Sequence, residues 1–236
     1  MGSLKVKMKT KLTFLLSLTL LLLLSIFVTL AYTDNFQDGL DASQRGDYKT
    51  ALEKWKPLAE QGHVTAQYNL GQVYNNGWGV KQDYKEANKW FRLCAEQGVS
   101  IAQFILGNHY LRGQGVTEDL NKAVKWYRLS AEQGYAVAQH SLGGIYAFKK
   151  EYNEAVKWWK LSAEQGYVEA QFDLGLMYSL GKGIFQDYVN GYMWFIIAEK
   201  NGHKDAREAK NSSERNMTPA QITKAQKLAE EWKPKQ

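Results

Sequence analysis

Four copies of the phrase Ala-Glu-Gln-Gly, at residues 59–62, 95–98, 131–134 and 163–166, constrain this chain more than any other feature. Their closing glycines are 36, 36 and 32 residues apart, and a degenerate copy, Ala198-Glu199-Lys200-Asn201-Gly202, follows 36 residues later. A period in this range belongs to chains that stack one supersecondary unit on the next, so function is sought on a repeated surface and not in one pocket.

Each copy divides into two helical halves. Aligned on Asp47, Asp83, Asp119, Glu151 and Asp187, the first halves place Ala51, Trp55, Leu58 and Ala59 at i, i+4, i+7 and i+8. Later copies repeat the set, with Phe91, Tyr127 and Trp159 as the ring. That spacing is one stripe of an α-helix, and strand alternation does not fit it. The acidic residue suits the N-terminal end, and the glycine suits a left-handed residue just past the C-terminal end. The second halves carry Ala66, Leu70, Gly71 and Tyr74 and their equivalents. A glycine inside a helix costs about 1 kcal/mol against alanine, so Gly71, Gly107, Gly143 and Gly175 predict a partner helix close enough to need the space. Gly77-Trp78-Gly79, Gly113-Gln114-Gly115 and Gly181-Lys182-Gly183 read as hinge turns, because none opens a helix after a strand as a phosphate-binding loop would. The third repeat lacks this turn between Tyr146 and Glu151, which accounts for the 32-residue spacing.

These columns resemble the Sel1-like repeat family, a relative of the tetratricopeptide repeats. The resemblance covers about residues 47 to 210 and rests on Ala-x-x-Leu-Gly-x-x-Tyr, Gly-x-Gly-Val, Asp-x-x-x-Ala-x-x-Trp-aromatic and Ala-Glu-Gln-Gly. It implies an all-α fold, an α-solenoid forming a right-handed superhelix of antiparallel helix pairs, and a role as a non-enzymatic adaptor for other proteins. Some cysteine-rich bacterial members are associated with penicillin binding. This chain departs from them, since it has one cysteine, Cys94, and no Ser-x-x-Lys.

The organisation expected from the sequence has four parts. Residues 1–31 read as an export signal: Lys5, Lys7, Lys9 and Lys11 precede an uncharged run from Leu12 to Thr33, with cleavage after Ala31 and with Met8 as an alternative start. The run also approaches the length of a membrane anchor. Residues 32–46 form a lead-in helix with Phe36 and Leu40, and repeats begin at about 47, 83, 119, 151 and 187 and end near 210. Residues 211–236 hold a linker and a last helix, with Thr218-Pro219-Ala220-Gln221 as its start signal and Ile222, Ala225, Ala229 and Trp232 on one face. Periplasmic or secreted localisation follows if the signal is cleaved, and inner-membrane attachment if it is not. A bacterial source fits the leader.

Charge excludes little. The chain carries +6, but four of those charges sit in the leader, leaving about +2 for the remainder, and a nucleic-acid partner is not expected. The four histidines show no metal-binding spacing, no serine elbow is present, and no cofactor is expected. The suggestive surface lies on the first helices. Lys89, Lys125 and Lys157 share a column, and Lys56, Arg92, Arg128 and Lys160 occupy the column three residues on. Trp90, Trp126, Trp158 and Trp194 run beside them. By the resemblance, first helices line the concave face, so these residues would make a basic, aromatic-edged groove for another protein or an extended acidic peptide, in a monomeric protein. The competing account is a solvated face with buried rings, in which Arg92–Glu96, Arg128–Glu132 and Lys160–Glu164 are i,i+4 pairs worth about 0.2–0.5 kcal/mol each. Further alternatives are a cell-wall-associated or secreted effector and a weak penicillin-binding or β-lactamase-like activity.

Overall fold

The computed structural model describes residues 35–235, so the leader and its cleavage site lie outside the described residues. Twelve helices and no strand occur among them. Helix α1 covers 35–44, followed by α2 (Tyr48–Glu60), α3 (Val64–Asn76), α4 (Tyr84–Glu96), α5 (Ser100–Arg112), α6 (Leu120–Glu132) and α7 (Ala136–Phe148). After these come α8 (Tyr152–Glu164), α9 (Val168–Leu180), α10 (Tyr188–Lys200), α11 (Ala206–Glu214) and α12 (Pro219–Glu231). The contacts divide the chain into two compact units, Met1–Cys94 and Ala95–Gln236, with the boundary inside α4. In the second unit each helix from α5 to α11 packs on the next, which is the helix-pair solenoid expected from the repeats.

The helix ends follow from local chemistry. The carboxylates of Asp47, Asp83, Asp119 and Asp187 accept the backbone N–H of Thr50, Glu86, Lys122 and Asn190, satisfying donors that a helix start leaves open. Glu151 is the exception and makes no side-chain cap. Glycines 62, 98, 134, 166 and 202 all have φ between 87° and 95°, the left-handed stop that Ala-Glu-Gln-Gly predicts. Between pairs, the N–H of Asp83, Asp119 and Asp187 returns to the carbonyl of Tyr74, Tyr110 and Tyr178, each at 2.9 Å. The shortened third turn makes the same closure, Glu151 N–H to Tyr146 O at 2.9 Å, with Lys150 at φ 63° as the only non-glycine residue of positive φ among the described residues. Four residues are therefore lost from the bulge of the turn, while the closure that sets the next helix start is retained.

Packing explains the glycine column. A Cβ on Gly107 would lie 2.6 Å from the Tyr127 ring, one on Gly143 2.6 Å from Trp159, and one on Gly175 2.7 Å from Phe195. The first unit repeats the arrangement with Gly71 against Phe91 and, unforeseen from the sequence, Gly39 of α1 against Trp55. The lead-in helix thus packs as a second-type helix does, and its own short turn uses Gly46, at φ 79°, where the third repeat uses Lys150. In both short-turn pairs the ring is tryptophan, and its indole N–H donates to the carbonyl of Phe36 or His140, nineteen residues earlier in each case.

A second buried column escaped the sequence reading. Gln67, Gln103, Gln139 and Gln171 follow the buried alanines of the second helices and are at most 4% exposed. Their amide N–H groups donate to the carbonyls of Ala59, Ala95, Ala131 and Ala163, respectively. In the second unit the phrase glutamine of the next repeat, or its asparagine replacement, closes a ladder: Gln133, Gln165 and Asn201 donate to the side-chain oxygens of Gln103, Gln139 and Gln171 at 2.7–3.0 Å. Ser130 and Ser162 add bonds to the carbonyls of Ser100 and Ala136. Buried amides need such partners, so the ladder ties each repeat to the one before it in a single register.

The last two helices depart from the repeat pattern. Helix α11 is cut to nine residues, and Lys210, standing where Leu70 stands in the first repeat, pairs with Glu199. Helix α12 has the expected capping box of Thr218 and Gln221, and it packs chiefly on α10, burying Ala225 and Ala229.

Candidate functional site

The basic columns are solvent-facing in each unit. In the second unit Lys125, Arg128, Lys157 and Lys160 are exposed, as are Lys56 and Lys89 in the first, while Arg92 is half-buried. Their local pairing differs from expectation. Lys89 bonds Glu86 one turn earlier, and Lys157 faces Glu154 at 3.8 Å. Arg128 donates to the Tyr146 hydroxyl and Glu164 takes Lys235, so the expected Arg128–Glu132 and Lys160–Glu164 pairs are not what these side chains make. An i,i+3 partner on the first turn and a tyrosine on the neighbouring helix win because an exposed i,i+4 pair is worth so little. Lys125 and Lys160 carry no ion pair among the described residues. Lys89 is held above the usual lysine range by Glu86.

The tryptophans do not form the edge of an open groove. Trp90, Trp158 and Trp194 are 8%, 6% and 5% exposed and belong to the cores, and only Trp126 stays half-buried. Their position at i+3 from the buried alanine puts them on the margin of the apolar stripe, and neighbouring helices close over them. The indole N–H of Trp90 and of Trp158 finds no hydrogen-bond partner among the described residues, and the Lys157 ammonium lies over the Trp158 ring, 5.9 Å from its centroid. What remains accessible on the first-helix face is cationic, with Leu93 in the first unit and Leu129 and Leu161 in the second, each about 40% exposed.

No reactive constellation accompanies this face. Among the described residues no group of three or more His, Cys, Asp or Glu could hold a metal ion. His140 has a carboxylate that its spacing did not reveal, Asp173 at 2.9 Å on the next second helix, and it also packs on Tyr167. Cys94 is fully buried, and that burial pushes its thiol up to about 11. Among the described residues no helix is long and apolar enough to cross a membrane.

His109 is 4% exposed on α5, and burial, reinforced by Arg112, depresses its imidazole to about 4. Its unfolded value is near 6.5, so as pH falls through 6.5 the unfolded chain takes up this proton first. Stability contributed by neutral His109 is complete above about pH 6.5, declines between 6.5 and 4, and changes no further below 4. Thermal melts at pH 7 and pH 4.5 should show a loss of several degrees in the wild-type chain that His109→Gln reduces; equal losses would mean that His109 does not carry it.

With this geometry in view, the family model of the Sel1 repeat matches residues 64–99, 100–135, 135–167 and 168–203, more than half of the chain. The chain belongs to the Sel1 repeat family. Each matched unit begins at or just before a second helix and ends just after the next first helix, so three of the four enclose a hinge turn and 135–167 encloses the shortened turn at Lys150. Among solved structures, a Sel1 repeat protein from Oxalobacter formigenes is 28% identical, with a TM-score of 0.72 over 84% of this chain and 85% of that one. A protein of uropathogenic Escherichia coli strains, described as a protective antigen displaying an SLR fold, is also 28% identical, with a TM-score of 0.53. That similarity covers 87% of this chain but 54% of the antigen. MamA, at 20% identity and a TM-score of 0.51, shares the fold. No curated protein matches significantly. Sel1 repeat proteins are generally protein-interaction scaffolds and typically non-enzymatic.

Proposed function

We propose that this Sel1 repeat chain is an exported, non-enzymatic scaffold of the bacterial envelope whose first helices receive an acidic, extended segment of another protein. The observation that carries the reading is the exposure of Lys125, Arg128, Lys157 and Lys160 on successive first helices of the second unit. The first unit supports it with Lys56 and Lys89 on its own first helices. Such columns favour an anionic partner through steering and orientation more than through raw affinity. Leucines 129 and 161 supply apolar contact beside them, the part that the buried tryptophans cannot play. Export rests on the lysines and uncharged run of the leader.

Charge reversal tests the surface. Lys125→Glu, Lys157→Glu and Lys160→Glu together should reduce capture of acidic envelope proteins at least tenfold and remove its salt dependence, with the helical circular dichroism unchanged. Undiminished capture by the folded triple variant would end the basic-face reading. Mass spectrometry of the native N-terminus separates the exported form, beginning after Ala31, from a tethered one that keeps the leader.

A further inference from the structure

Residues 232–235, the last described, lie against α10 at Trp194 and against the C-terminal end of α8, two of the first helices. After α12 ends, Trp232 turns extended, at φ −69° and ψ 138°, and residues 232–235 continue without helix. Trp232 meets Trp194 edge to face at 5.6 Å, and Trp194 stands in the tryptophan column of the first helices. The segment therefore runs on the tryptophan side of α10 and reaches back to α8. There the backbone N–H of Lys235 donates to the carbonyl of Glu164 at 2.7 Å, and its ammonium binds the Glu164 carboxylate at 2.8 Å. Pro234 lies over Gly166, where an added Cβ would be 3.7 Å away.

Three properties distinguish this from ordinary terminal packing. Lys233, Pro234 and Lys235 are exposed and held from one side only, while Trp232 is half-buried and packs on the core at Trp194. The anchors are an aromatic contact, a main-chain hydrogen bond and an ion pair, the combination by which extended peptides are recognised. The third is sign: a carboxylate and a helix C-terminal carbonyl make this spot anionic, beside cationic Lys157 and Lys160. Its ligand therefore differs in charge from the acidic segment proposed for the columns.

We infer that Trp232–Lys235 is a resident strap on a peptide seat built from Trp194 and the α8 end at Glu164 and Gly166. The seat takes an extended basic segment with an aromatic residue followed three positions later by lysine. An incoming segment of that kind displaces the strap. The tethered strap competes at the high effective concentration of an intramolecular ligand, so the intact chain binds such a peptide weakly and a chain with the strap released binds it well. The inference rests on the first-helix face being a partner surface, but its test is independent of the basic columns.

The probe is a fluorescent synthetic peptide with the sequence of residues 232–235, blocked at both ends, titrated into the full chain and followed by anisotropy. A strap-release variant, Trp232→Ala with Lys235→Glu, should bind it at least tenfold more tightly than wild type. Adding Glu164→Lys should abolish that gain, as should replacing the probe's tryptophan by alanine. Reversing Lys125, Lys157 and Lys160 should leave the binding in place, which separates failure of the seat from failure of the columns. Should the double variant melt early by circular dichroism, Lys235→Glu alone serves, since it retains Trp232. Equal binding by wild-type and released chains, no binding by a folded released chain, or binding indifferent to Glu164→Lys would each overturn the proposal.

Discussion

Gly143→Leu should cost about 3 kcal/mol or more, whereas Gly144→Ala, at the adjacent residue of the same helix, should stabilise the chain by up to about 1 kcal/mol. A Cβ on Gly143 would sit 2.6 Å from Cδ1 and Nε1 of Trp159, and a rigid indole cannot give way as the tip of a flexible chain would. Moving that ring also strains the 3.1 Å bond from its N–H to the His140 carbonyl. At Gly144 nothing lies within 4 Å of the added carbon, so the helix gains alanine's better propensity at no packing cost. Urea denaturation of the two variants checks the opposite signs. A stabilised Gly143 variant, or two variants of equal stability, would show that ring contact does not set the helix spacing in this pair.

Gln139→Leu ranks next, at about 2 kcal/mol, although the change is usually favourable in hydrophobicity and preserves size. The Gln139 amide gives up its bond to Ala131 O at 3.0 Å, and the Gln165 amide loses the Gln139 oxygen at 2.7 Å. Each bond is worth about 1 kcal/mol, and a buried group left unpaired raises the loss. Gln165→Ala should cost less, because its end of the bond is nearer solvent and its amide also reaches Leu161 O at 3.4 Å. A double-mutant cycle between the two positions should return a coupling near 1 kcal/mol; additive losses would dissolve the ladder as a cooperative element.

Much of the architecture was legible in particular residues. The i, i+4, i+7, i+8 stripe from Ala51 to Ala59 names a helix, and Asp119 and Gly134 mark the ends of α6 within two residues of where it starts and stops. These are local effects: caps, left-handed glycine and helical period act over a few neighbouring residues. Gly71 and its equivalents even implied a close partner, because a helix tolerates glycine poorly without cause. Gly39 carried the same signal and went unread, since a single glycine outside the recognised repeats has no column to stand in.

The candidate surface was less legible, and the reason is physical. Whether Trp158 lines a groove or fills a core depends on what the next helix covers, and residues at the edge of an apolar stripe can do either. Gln139 after a buried alanine looks like a surface residue until a carbonyl and a second glutamine from another repeat are brought to it. His140 and Asp173 are 33 residues apart and meet only through the stacking of second helices. Lys235 and Glu164 are 71 residues apart, with no periodic relation to betray them.

By itself the sequence determined the repeat unit, its helix limits, its turns and the cationic columns, because each depends on short-range sterics, capping and period. Only the tertiary structure decided which rings are buried, which amides are joined, and that Trp232 and Lys235 meet Trp194 and Glu164. Those outcomes arise from contacts between residues far apart in sequence, whose packing and desolvation are set by the stacked helices and not by any neighbour along the chain.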